Sequence, residues 1–173
     1  MSEIKEVNGM VTLPVVPLRG LVAFPGVQLN IEIIRPFSLK AFTAGATLHD
    51  AKVILLSQKD VACEEPKGDD LYKMGVIAEI KHVVKNPRGN LNVVFEGISR
   101  IRIKDFIIDS GYISASGVTR VESKYTSVPK QISALVHEIK RRLADIRDIH
   151  PSFTEELRMN AEAITEYGYF ADF

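Results

Sequence analysis

Met74-Gly-Val-Ile-Ala-Glu-Ile-Lys-His-Val-Val84, then Asn86-Pro-Arg-Gly-Asn90 and Leu91-Asn-Val-Val-Phe95, form the hairpin around which the rest of the chain is arranged. In the first part Val76, Ala78, Ile80 and His82 share one side of an extended chain, and Ile77, Glu79 and Lys81 share the other. That period of two marks a strand. The residues from Asn86 to Asn90 supply a tight reversal in which Gly89 takes a positive φ, and Leu91 to Phe95 return antiparallel.

Downstream, Glu96-Gly-Ile-Ser99 predicts a break, after which Arg100-Ile-Arg-Ile-Lys104 and Tyr112 to Val121 alternate again as strands. Upstream, Val27-Gln-Leu-Asn-Ile-Glu-Ile33 alternates strictly, as a strand with one wet face does. Leu13-Pro-Val-Val-Pro17 carries prolines that suit an edge strand, since they cannot donate to a ladder. Lys52-Val-Ile-Leu-Leu-Ser57 is continuously apolar and reads as a strand covered on both faces. Between these, Pro36 to Leu48 predicts a short helix with Leu39, Phe42 and Ala46 inward, Ser38 as its cap and Gly45 weakening its last turn. Asp60 to Asp70 reads as an exposed, negatively charged loop. The fold class is α+β: a small, mainly antiparallel β barrel or sandwich with one early helix, followed by an α-helical part.

Around Ser127 the period changes to 3.6. Ile132, Leu135, Val136, Ile139, Leu143 and Ile146 form one stripe, with Lys140, Arg141, Arg147 and Asp148 on other faces. Pro129 fits the first turn of this helix and Pro151 ends it. Ser152-x-x-Glu155 has capping-box spacing, and Phe153, Leu157, Ala161 and Ile164 follow at helical intervals. The stripes need cover from each other, from the β domain or from something absent. The aromatic tail Tyr167 to Phe173 carries no stop signal, which predicts a truncated parent. The expected organisation is a disordered terminus over 1–10, a β-rich domain over 11–122 and a helical subdomain or linker over 127–173.

The chemistry to expect is limited by what the 173 residues contain. Hydrophobic residues make up 46% and charged residues 25%, with 22 basic against 22 acidic side chains, which excludes intrinsic disorder. Zero net charge argues against a nucleic-acid or anionic-membrane partner, for which excess positive charge is the driving force. One cysteine allows no internal disulfide, and the first residues lack the apolar run of a leader; both point to a reducing cytoplasm. There is no Gly-x-x-x-x-Gly-Lys-Ser/Thr or Gly-x-Gly-x-x-Gly loop, and His49, His82, His137 and His150 have no metal-ligand spacing. Cys63 stands beside Glu64 and Glu65, the opposite of the electropositive setting that activates a thiol. Ser57 with Lys59, and Ser99 with Lys104, lack the glycine turn that exposes a nucleophile. No catalytic or metal-binding residue is assigned. The most informative segment is Pro17-Leu-Arg-Gly-Leu-Val-Ala-Phe-Pro-Gly26, whose prolines and glycines oppose full sheet pairing, so its large apolar groups are either tucked beneath it or displayed.

Leu13 to Gly26, Asp70-Leu-Tyr-Lys-Met-Gly-Val-Ile-Ala-Glu-Ile80, Asn86-Pro-Arg-Gly and Phe95-Glu-Gly-Ile-Ser-Arg-Ile-Arg-Ile103, in that order, resemble the N-terminal substrate-binding domain of the Lon ATP-dependent proteases. The likeness covers residues 11 to 121; residues 122 to 173 match only in kind, and Arg35-Pro-Phe37 departs from the charged or helix-favouring stretch of many relatives. It implies a PUA-like pseudo-barrel that binds unfolded or damaged protein and hands it to an ATPase ring. It also implies a hexameric parent, a homo-oligomer whose ATP- and Mg-dependent motor and serine–lysine protease module lie beyond Phe173. In that setting the candidate substrate-binding residues are Leu21, Val22, Phe24 and Pro25 in the loop, Arg35 and Phe37 near the first helix, and Arg88 at the hairpin tip. Ile139 and Leu143 are the candidate oligomer interface. A stand-alone Lon-domain binding protein and an RNA-binding PUA-like domain are the alternatives, the second opposed by neutral charge.

Overall fold

The computed structural model describes residues 9–87, 89–109, 111–120, 130–150 and 152–173. Arg88, Pro129, Pro151, the period change at Ser127 and the side chains of Arg147 and Asp148 lie outside the described residues. The chain divides into two compact units, Met1–Val121 and Glu122–Phe173.

In the first unit the order is β1 (Met10–Leu18), β2 (Gln28–Ile33), α1 (Pro36–Leu48), β3 (Lys52–Ser57), β4 (Met74–Lys85), β5 (Leu91–Asp109) and β6 (Tyr112–Arg120). The β4–β5 hairpin turns where expected: Gly89 N donates to Asn86 O at 2.9 Å, Asn86 N to Asn90 O at 2.9 Å, and Gly89 has φ +88°. The strands run β2-β5-β4-β3-β1-β6 and β6 pairs again with β5, so β5, β4, β3, β1 and β6 close into a barrel. β2 is an edge strand on the first half of β5, opposite Leu91 to Glu96. Among the described residues only β1 and β3 are parallel, and every other ladder is antiparallel.

The alternation of each strand is resolved into two cores. Val15, Ile54, Leu56, Ile77, Ile101, Ile103 and Ile113 fill the closed barrel. Val16, Leu18, Ile33, Phe42, Val53, Leu55, Val76, Val93 and Phe95 form a second core, where the curled sheet β2-β5-β4-β3-β1 meets α1. β3 feeds both, Val53 and Leu55 to one and Ile54 and Leu56 to the other, which is why its sequence is apolar throughout.

Three expectations need correction. β1 is not an edge strand: it pairs with β6 over Met10 to Pro14 and with β3 over Val15 to Leu18. Its prolines are tolerated because the β6 ladder stops at Pro14, and Pro17 faces away from β3, where only its carbonyl is used. Glu96 to Ser99 does not break the strand. β5 runs through it with a register shift that leaves Ile98 without an opposite number on β4. In α1 the inward residues are Ser38, Ala41, Phe42, Ala44 and Gly45, whereas Leu39 and Ala46 are exposed and Ser38 caps nothing. The cause is close approach: a Cβ on Gly45 would lie 2.4 Å from Val53 Cγ1 and 2.9 Å from Lys52 O, so only the small-residue face can sit on the sheet.

The second unit holds α2 (Lys130–Ile149), α3 (Glu155–Ala163) and α4 (Tyr167–Asp172). Thr154, not Ser152, caps α3, its hydroxyl accepting from Leu157 N at 3.2 Å. The tail expected to lack a stop forms α4, capped by the Glu166 carboxylate, which accepts from Gly168 N and Tyr169 N. Lys140 does not simply face solvent. Its ammonium donates to Glu162 O at 2.9 Å and Ile164 O at 2.6 Å, neutralising the C-terminal carbonyls of α3. The α2 stripe is split: Ile132, Val136 and Leu143 are half-buried, while Leu135, Ile139 and Ile146 are exposed. Among the described residues, no helix is long and apolar enough to cross a membrane.

Candidate functional site

The two ends of the curled sheet, β1 and β2, make no ladder with each other. Between them lies a cleft of about 290 Å³, lined by Val16 to Arg19, Leu21, Asn30 to Arg35 and Ser38. Arg35, just past β2, crosses it: Nη2 donates to Pro17 O of β1 at 2.8 Å and Nη1 to Gln58 Oε1 at 2.6 Å. The buried Gln58 amide then donates to Cys63 O at 3.0 Å and Asp60 O at 3.2 Å, tying the acidic loop to the cleft. Arg19 reaches the same loop, with Nη2 2.9 Å from Cys63 O and 3.1 Å from Glu64 Oε2. Burial first, and then the like charge of Arg19, lower the pKa of Arg35 below its ordinary value, offset in part by Glu64. Two guanidiniums thus meet at this side of the cleft beside the exposed Glu64 carboxylate, with Glu32 also among its lining residues.

The loop from Pro17 to Gly26 forms one wall and is pinned at both ends. Ser57 Oγ donates to Leu21 O at 2.6 Å, Gly26 N donates to Gly97 O at 2.9 Å, and Gly97 N donates to Val27 O at 3.0 Å. Gly97 is required there, because a Cβ would meet Phe24 O at 2.1 Å. Of its apolar groups Ala23 is buried, Phe24 and Pro25 are half-buried, and Leu21 and Val22 are 46% and 59% exposed. The choice left open by the sequence is thus divided within the loop itself.

The candidate residues do not converge on one spot. Leu21 and Arg35 line the cleft. Phe37 stacks under the Arg35 guanidinium at 4.7 Å but lines a separate hollow of about 360 Å³ with Pro36, Pro66, Ile108 and Tyr112. Arg35 has its Nη groups engaged by the fold and acts as a cross-bar rather than a free hand. Arg19, Ser38 and Gln58 were missed. Gln58 could have been found by continuing the β3 alternation past Ser57, which puts it on the side of Leu56; Ser38 and Arg19 carry no such signal.

The sequence model of the family described as "ATP-dependent protease La (LON) substrate-binding domain" matches residues 12–173. A Lon protease of Halothermothrix orenii is 34% identical over 171 residues, which is 97% of this chain and 21% of that protein. The chain spans about one fifth of the length of the curated relatives it matches. Among solved structures, the N-terminal domain of a Mycobacterium avium complex Lon protease superposes with a TM-score of 0.75 at 19% identity, covering 94% of this chain and 80% of that one. A Lon N-terminal domain protein from Xanthomonas campestris gives 0.61 at 13% identity, covering 94% and 95%. These structures share the fold, and the matching family is a binding domain rather than a motor or peptidase. The chain belongs to the Lon substrate-binding domain family.

Proposed function

We propose that this chain receives unfolded or damaged polypeptide segments for a Lon-type ATP-dependent protease of the cytoplasm and passes them to its ATPase ring. The motor, with its ATP and Mg, and the serine–lysine peptidase would belong to other parts of that protein. The observation that carries this is the pair Leu21 and Val22, large apolar side chains held out on a loop that is itself bonded to β3 and β5. An unfolded chain offers apolar groups that such a pair can cover without demanding one sequence, and modest affinity permits release. Phe24, Pro25 and Phe37 supply half-buried apolar surface nearby, and Arg88 stays a weaker candidate. Replacing Leu21 and Val22 together with serine should weaken binding of a reduced, unfolded model protein by about fivefold or more, with the thermal midpoint unchanged. Equal affinity in the folded variant would remove the loop from the function. The exposed Ile139, with Leu143 beside it on α2, fits contact between subunits of a homo-oligomeric, hexameric parent.

A further inference from the structure

Three features of the cleft between β1 and β2 go beyond apolar capture. First, Ser38 is 4% exposed and its Oγ has no hydrogen-bond partner among the described residues, although it lines the cleft. Arg19 lines it too, and its buried Nε is likewise unpartnered. Buried donors left unmade are costly, and an acceptor placed in this hollow would serve both of them. Second, Ser38 sits in the first turn of α1, a helix of 13 residues whose N-terminus has no side-chain cap and no acidic residue. Its free N–H groups and dipole favour an anion at that end. Third, the Arg19 and Arg35 guanidiniums share the Glu64 carboxylate, which is 78% exposed and so compensates weakly, while Glu32, which also lines the cleft, is held by the Asn86 and Asn90 amides at the hairpin tip.

We propose that the cleft captures the free C-terminal carboxylate of a polypeptide, which accepts from Arg19 Nε and Ser38 Oγ while the last side chain, an apolar one, rests against Leu21 and Ile34. This rests on the reading of the domain as a receptor for polypeptide segments. A carboxylate matches the donor set because guanidinium and hydroxyl both donate and the helix terminus adds positive potential. A chain end is favoured over an internal acidic side chain because Arg35 bars the passage. Its guanidinium spans from the residue after Ile34 to the carbonyl of Pro17, so a segment lying along the edges of β1 and β2 meets it and stops. The walls hold the apolar Val16, Leu18, Ile31 and Ile33 beside Asn30 and Glu32, and the apolar part strengthens charge-assisted hydrogen bonds by excluding water.

The test titrates the 173-residue chain with a fluorescent peptide of alternating serine and valine ending in leucine with a free carboxyl group. Its C-terminal amide and an amidated version carrying one internal aspartate are titrated in parallel. The free acid should bind about tenfold tighter than either amide. Ser38→Ala removes only an unpaired hydroxyl, so it should leave the thermal midpoint in place and shrink that preference about threefold or more; Arg19→Gln should shrink it further. Equal binding of acid and amide overturns the proposal, as does equal binding of the internal aspartate peptide. In either case continued binding of a reduced, unfolded protein would leave the receptor reading standing. Loss of all polypeptide binding would remove both.

Discussion

Gln58 Oε1 accepts from Arg35, and its amide nitrogen donates to the carbonyls of Asp60 and Cys63, so one buried side chain holds a cation and a loop at once. Gln58→Leu keeps the volume but takes the short acceptor from Arg35 Nη1 and leaves the Cys63 carbonyl with Arg19 alone. It should cost about 1–3 kcal/mol in urea unfolding, against a few tenths for an exposed replacement such as Lys59→Leu. Gly97 acts by its size. Gly97→Ala must push the Phe24 carbonyl away, which should cost about 1–3 kcal/mol and expose the Pro17 to Gly26 loop to limited proteolysis under conditions where the parent chain resists. Residue-scale features of this kind were the least legible. Neither an orphan hydroxyl at Ser38 nor a missing Cβ at Gly45 leaves a periodic trace, since each is defined by what another part of the chain brings against it.

At the scale of elements, the strands with clear alternation and the α1 boundaries were readable, because pattern and boundary are local properties. Neighbours were not: Pro14 and Pro17 argued for an edge, and the true edge is β2, whose alternation reports a different property, Leu29, Ile31 and Ile33 facing the core and Gln28, Asn30 and Glu32 facing solvent. The α2 helix carries its own electrostatic signature. Arg141 and Arg142 hydrogen-bond the Glu138 carboxylate and hold its pKa at about 2, down from an ordinary 4.5. A carboxyl depressed in the folded state contributes stability that is present above pH 4.5 and lost as pH falls through about 2. Far-UV helical ellipticity should therefore decline across that window, by a small amount because the trio is exposed, and Glu138→Gln should flatten that part of the titration. An acid limb unchanged by the variant would show that this cluster does not support α2.

For the whole molecule, the likeness to the Lon domain over residues 11 to 121 was readable from short motifs in their order, and so was a barrel. The closure that couples β5 to both β4 and β6, and the division of one sheet between two cores, were not, because both depend on which strand bends past which. The second unit was legible as helices but not as the set in which Lys140 reaches α3 and Thr154 caps it.

The partnership of β1 with β6 has a temporal consequence. Thr12 bonds Ser116 across 104 positions, so the ring cannot shut until nearly the whole first unit has left the ribosome. High contact order of this sort slows folding, and a nascent chain waiting for β6 displays the unpaired Met10 to Pro14 segment. A polypeptide released at Asp109 should unfold without a cooperative transition, whereas one released at Val121 should melt in a single step. The domain would thus spend most of its own synthesis with the first strand of its barrel still lacking a neighbour.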